Sequence, residues 1–159
     1  MAEGGGPIKI GDVAPDFVLR DQEAKEFKLS DFRGKRVLMS FHPAAWTKVC
    51  AEQMQSLETN KEVFASLNTV AVGISVDTIP SKRAWARSLG ITSTRLLADF
   101  WPHGAVARFY DIFREKEGIS ERANIIVDET GKIVFVKVYE ISQLPDIQEI
   151  IDFLQQLKS

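Results

Sequence analysis

Cysteine and histidine are scarce in this chain of 159 residues, with one Cys and two His. A lone cysteine rules out an intrachain disulfide, and with two distant histidines it gives no metal-ligand spacing. No metal and no cofactor is expected. Nor does any apolar run reach the ~18 residues that a membrane helix requires. Neither sign of charge dominates: 20 Lys and Arg against 22 Asp and Glu leave a net charge of −2. That balance gives no general attraction to nucleic acid or to anionic membranes. The local basic groups Arg33, Lys35, Arg36 and Lys82, Arg83, Arg87 read as solvated faces. Gly4-Gly5-Gly6 lacks the Gly-Lys-Ser/Thr continuation of a phosphate-binding loop. Residues 1–7, without a basic start or an apolar segment, read as a flexible N-terminal tail rather than a signal peptide. A lone thiol without such a signal fits a reducing, cytoplasmic setting.

What is present suffices for a core, since 45% of the residues are hydrophobic. With no internal repeat and no linker, residues 8–159 are expected to form a single domain. Phe17-Val18-Leu19 and Phe27-Lys28-Leu29 suggest paired extended segments, and Ser30 to Gly34 a capped turn closed by glycine. Arg36 to Phe41 reads as a buried strand. From Lys48 the period changes: Cys50, Met54, Leu57, Lys61 and Phe64 fall three or four apart, on one face of a helix. Thr47 sits at its N-cap, which puts Cys50 in the first turn.

Val70 to Val76 is a continuous apolar run of the kind buried on both faces of a sheet. Pro80 near its start and Gly90 past its end bracket another helix, with Trp85 and Leu89 toward the core. Leu96 to Ala98 suggests a short strand, and a helix is expected to reach about Tyr110. Asp128 to Gly131 joins strands Arg122–Val127 and Lys132–Tyr139 in a hairpin. The apolar spacing of Ile147, Ile150, Ile151, Leu154 and Leu157 marks a final amphipathic helix. Strand-helix alternation followed by a hairpin predicts an α/β protein with a mixed central sheet flanked by helices. The thioredoxin-like fold with an N-terminal extension is the simplest architecture of that size.

The chemistry turns on Cys50. A lone cysteine is more often an inert small hydrophobe than a nucleophile. Its place in a first helical turn changes that, because unpaired backbone N–H groups there favour an anion. A free thiol of pKa about 8.5 is only a few per cent thiolate at neutral pH, so full ionisation raises its reactive fraction at most about thirtyfold. A helix end supplies only about 0.3–1 kcal/mol, so a cationic partner is needed. Fast chemistry also needs donors aimed at charge that develops on the substrate.

Pro43-Ala44-Ala45-Trp46-Thr47-Lys48-Val49-Cys50 resembles the Pro-x-x-x-Thr-x-x-Cys signature of the peroxiredoxins, thiol-dependent peroxidases on a thioredoxin-like fold. Gly11 to Phe17 and Leu29 to Lys35 look like that family's opening segments, and Arg122 to Asp128 like the strand carrying its active-site arginine. Asp99 to Val106 is similar to the one-cysteine subgroup called alkyl hydroperoxide reductase E. The likeness runs from about Ile8 to Leu157.

The resemblance implies an antioxidant oxidoreductase of cell redox homeostasis that reduces hydrogen peroxide or organic hydroperoxides. Cys50 would be the nucleophile that becomes a sulfenic acid. Thr47 would hydrogen-bond thiolate and peroxide, Arg122 would polarise the O–O bond, and Pro43 would screen the pocket from water. With no second cysteine, the partner implied is an external thiol: thioredoxin-like, glutaredoxin-like or of low molecular weight. A homodimer is implied too, but no nucleic acid or membrane partner.

Some positions depart from the pattern. Gln53 stands where many relatives carry glutamate, which puts a charged link to the arginine in question. Thr94-Arg95 replaces a common aromatic-proline pair. His42 could hydrogen-bond near the sulfur or serve as a structural imidazole, and His103 reads as a helix-start residue. Trp46, Trp85 and Trp101 read as core or pocket wall, with Trp46 nearest the entrance. Two other functions compete. A thiol–disulfide oxidoreductase wants Cys-x-x-Cys, where this chain has Thr47-Lys48-Val49-Cys50. A chaperone-like binding protein would keep its role after Cys50→Ser.

Overall fold

A computed structural model describes residues 8–157, so the tail expected over residues 1–7 lies outside the described residues. Strands β1 (Val18–Arg20) and β2 (Glu26–Lys28) pair antiparallel, and a 3-10 turn over Leu29–Phe32 leads into β3 (Arg36–Phe41). Helices α1 (Lys48–Thr59) and α2 (Lys61–Ser66) precede β4 (Thr69–Ser75), α3 (Ile79–Leu89) and β5 (Arg95–Ala98). Then follow α4 (Ala105–Phe109), a small hairpin of β6 (Phe113–Arg114) and β7 (Ile119–Ser120), β8 (Arg122–Val127), β9 (Ile133–Tyr139) and α5 (Ile147–Leu157). Nothing in the residue pattern announced the small hairpin, because two-residue strands are too short to show a period.

Seven strands form one mixed sheet in the order β2-β1-β5-β4-β3-β8-β9. The crossover strands β3, β4 and β5 run parallel, while β8 is antiparallel to β3 and to β9. The architecture is the α/β, thioredoxin-like arrangement expected from the strand order.

Strand periodicity decides which side chains reach which face. Val37, Met39 and Phe41 of β3, with Ala123 and Ile125 of β8, join the core that holds Phe17, Phe27, Val106 and Tyr110. Leu38 of β3 and Ile126 of β8 face the opposite core, built with Cys50, Met54, Trp85, Ile150 and Leu154 from α1, α3 and α5. Ser40 and Arg122 keep the parity of Leu38 and Ile126, so they share the face covered by α1. Gly73, paired with Ser40 in register, leaves room that Met54 and the His42 ring occupy; a Cβ there would lie 3.2 Å from His42 Cε1.

Several expectations need correction. The helix from Lys48 breaks at Asn60, so Lys61 leaves the shared face and becomes exposed beside Glu58 and Ser93. Trp85 is core and Trp101 a wall of an apolar groove, both as expected, whereas Trp46 is 56% exposed. Arg36 and Lys82 are buried rather than solvated. Arg36 donates to Glu129 Oε2 at 3.2 Å and to the Leu154 carbonyl at 3.2 Å, which compensates its burial. Arg95 ties β5 to the first hairpin, donating to Asp21 Oδ2 at 2.8 Å and lying over the Phe27 ring.

Candidate active site

The loop from His42 to Thr47 leaves β3 at its C-terminal end and enters α1, whose first turn carries Cys50. Two contacts fix its course. Asp77 Oδ2, just past β4, accepts from the Ala45 N–H at 2.7 Å, and the Trp46 indole N–H donates to Ser81 Oγ at 3.0 Å. Trp46 has φ of 71°, a left-handed conformation uncommon for a non-glycine residue and costing about 1–3 kcal/mol. The backbone is thus held strained next to Thr47.

Thr47 occupies the N-cap position of α1, but its side chain does not cap the helix. Its Oγ1 donates to the Ala44 carbonyl at 3.0 Å instead, on an exposed surface. The first intrahelical bond runs from the Ala51 N–H to the Thr47 carbonyl. The N–H groups of Val49 and Cys50 therefore stand at the open end of the helix.

Cys50 is completely buried. Arg122, at the start of β8, donates from Nη1 to Cys50 Sγ at 3.3 Å and to Gln53 Oε1 at 2.8 Å. Its Nε donates to the Ile141 carbonyl at 2.9 Å. Gln53, one turn after Cys50, passes the support onward: its Nε2 donates to Ser40 Oγ at 2.6 Å and to the Phe41 carbonyl at 3.1 Å. The link in question at Gln53 is made, as a neutral hydrogen bond rather than an ion pair. A guanidinium fixed at both Nε and Nη1 presents a constant cation to the sulfur where water does not screen it.

Pro43 is buried in the same loop. His42 is fully buried too, its Nδ1 3.4 Å from the Ser40 carbonyl and its ring against Trp85. Burial, then the positive charge of Lys82, holds the imidazole well below its ordinary pKa, so it is neutral. His103 bonds the Gly118 carbonyl at 2.7 Å, away from this site. Among the described residues no group of three or more His, Cys, Asp or Glu could hold a metal ion.

Ser40, Asp77, Lys82 and the Ile141 carbonyl escaped the sequence reading. Two of them carried a signal. Ser40 is a polar residue on the inward parity of an apolar strand. Lys82 lies three residues before Trp85, on the helix face already assigned to the core.

A thioredoxin-like sheet with a buried cysteine in a first helical turn, bonded to an arginine from a distant strand, defines a thiol-dependent peroxidase. The comparisons agree with that class. Residues 10–136 match the AhpC/TSA family, and this chain belongs to it. The chain is 38% identical over 140 residues to alkyl hydroperoxide reductase E of Mycobacterium tuberculosis (strain ATCC 25618 / H37Rv), covering 87% of this chain and 91% of that protein. Peroxiredoxin-1 of Gekko japonicus is 31% identical over 160 residues, covering 94% of this chain and 79% of that one. Among solved structures, Enterococcus faecalis AhpC superposes with a TM-score of 0.86 at 25% identity, over 94% of this chain and 92% of that chain. The reduced 2-Cys peroxiredoxin of Plasmodium vivax gives the same TM-score and identity, over 95% and 82%. The chain is a peroxiredoxin, and its single cysteine fits the one-cysteine type.

Proposed function

We propose that Cys50, Thr47, Arg122 and Pro43 form the peroxide-reducing centre of a single domain spanning residues 8–159. The observation that carries this is the 3.3 Å contact from Arg122 Nη1 to Cys50 Sγ. Cys50 sulfur attacks one peroxide oxygen, the S–O bond forms as the O–O bond breaks, and the departing oxygen takes a proton to leave as water or an alcohol. Sulfur is oxidised to sulfenic acid and the peroxide is reduced. Arg122 and the N–H groups at the start of α1 stabilise charge that moves from sulfur to oxygen. Thr47 Oγ1, already donating to Ala44, retains a lone pair for the hydroperoxide O–H. Pro43 keeps water from the sulfur, and Gln53 holds Arg122 in place. His42, buried against Trp85, and the exposed Trp46 flank Pro43 in the loop that leads to the cysteine.

With one cysteine in the chain, an external thiol completes the cycle. A first thiol condenses with the sulfenic acid, releasing water and leaving a mixed disulfide; a second thiol displaces Cys50 and carries away a disulfide. Thioredoxin-like, glutaredoxin-like and low-molecular-weight thiols all supply this chemistry. Peroxiredoxins commonly dimerise, and an apolar groove lined by Val18, Ile79, Pro80, Phe100 and Trp101 supports a homodimer here. Sedimentation velocity is expected to give twice the mass of the 17.8 kDa chain; a monomer across all concentrations would remove that reading. The lone thiol supports a cytoplasmic location, testable by cell fractionation. Among the described residues no helix is long and apolar enough to cross a membrane.

The central test is a single turnover. One equivalent of hydrogen peroxide is expected to convert Cys50 rapidly to a sulfenic acid, trapped by a nucleophilic reagent and seen as its mass adduct. Cys50→Ser abolishes the adduct. A thiol that reacts no faster than free cysteine overturns the assignment.

A further inference from the structure

Behind Cys50 lies a charge that the reaction described so far does not use. Lys82 of α3 is completely buried, which is rare for lysine without a paired charge. None of the ion pairs among the described residues includes it. Its Nζ is 3.2 Å from His42 Nε2 and donates a hydrogen bond to Ser75 Oγ. The nearest relayed negative charge is Asp77, whose Oδ2 accepts a hydrogen bond from the Ser75 hydroxyl at 2.6 Å. A methionine of similar volume would fill this space without the desolvation penalty of an ammonium.

We propose that Lys82 is a positioning residue of the peroxide-reducing site, whose ammonium fixes the His42 ring and, through Ser40 and Gln53, supports the Arg122 guanidinium that touches Cys50. The inference rests on the reading of Cys50 as the peroxide-reducing nucleophile. Donation from Lys82 makes His42 Nε2 an acceptor, which puts the ring proton on Nδ1 facing the Ser40 carbonyl at 3.4 Å. Ser40 Oγ accepts from Gln53, and Gln53 Oε1 accepts from Arg122. The arrangement is a series of contacts from Lys82 round to the cation that touches Cys50.

The charges acting on Lys82 come from several elements. Burial lowers its proton affinity most, opposed by Asp77 past β4, by Cys50 of α1 when ionised, and by Asp99 past β5; the result is about 8. His42, at the end of β3, contacts it as a neutral ring and feels Arg122 of β8 as a second cation. Lys82 is charged at neutral pH and loses its charge as pH rises through about 8, so its help is confined to the acid side of that value.

The test compares Cys50 oxidation by hydrogen peroxide across pH in the parent, Lys82→Met and Lys82→Arg. Near neutral pH, Lys82→Met is expected to react about tenfold more slowly, because the His42 ring loses its anchor and the support behind Arg122 loosens. The two profiles converge above pH ~9, where the parent lysine has lost its proton. Lys82→Arg keeps its charge and retains the neutral-pH rate. A purely structural lysine would alter stability without changing the profile's shape, so superimposable profiles for parent and Lys82→Met overturn the proposal.

A second measurement holds even if Lys82→Met does not fold. In the unreacted parent at neutral pH, the nitrogen chemical shifts of His42 should place the ring proton on Nδ1, because Nε2 accepts from Lys82. A ring proton on Nε2 refutes the positioning contact. If the parent ignores peroxide but the proton is on Nδ1, the peroxidase assignment fails and the Lys82–His42 contact stands.

Discussion

Two polar groupings share the sheet face beneath α1 and α3, and they handle positive charge in opposite ways. Around Arg122, a planar guanidinium that stays protonated is held at Nε by the Ile141 carbonyl and at Nη1 by Gln53 while touching Cys50. Around Lys82, a compact ammonium contacts a neutral imidazole and a serine hydroxyl, with its carboxylate reached only through Ser75. The first is a constant field with fixed direction. The second is a charge that responds to pH. The contrast follows from chemistry: guanidinium hardly deprotonates in a protein, whereas a buried amine shifts readily.

Variants can break this contrast. The largest effect is expected from Arg122→Ala, which removes the donor at the sulfur. Oxidation of Cys50 should fall by about 10²–10³-fold, as for loss of one preorganised donor. Stability should fall by only about 1–3 kcal/mol, since Gln53 and the Ile141 carbonyl each lose a partner. Stopped-flow oxidation beside urea unfolding checks both, and equal rates for parent and variant would remove Arg122 from the site.

Lys82→Met comes second, with its pH-dependent loss, and replacing a buried charge by an apolar side chain should leave stability unchanged or raised. Gln53→Ala is the smallest, a few-fold loss of rate, because it frees Arg122 without removing it. In Gln53→Ala/Arg122→Ala the two losses should not add. Full additivity would show that Gln53 acts on Cys50 by another route.

The same contrast shows what could be read from residue order. Local spacing located Cys50 on α1, the cap position of Thr47 and the Pro80–Gly90 bracket of α3, because each depends on neighbours three or four residues away. Arg122 entered through likeness to a family, since a strand-end arginine alone is usually a surface charge. The Lys82 environment was missed because charge was weighed above helix position: residues 82, 85 and 86 share a buried face. For Trp101 residue order left core and pocket wall both open, since apolar character does not say whether a loop side chain meets the core.

By itself the sequence determined one thiol, its place in a helical first turn, an alternation of strands and helices, and the family these features match. Tertiary structure decided the partners of that thiol. Parallel pairing of β3 with β4 and antiparallel pairing of β3 with β8 bring Ser40, Ser75 and Arg122 to one face, although 35 residues separate the first two and 82 the outer pair. No local rule carries that information, because strand order and register are fixed only when the whole sheet buries its two cores.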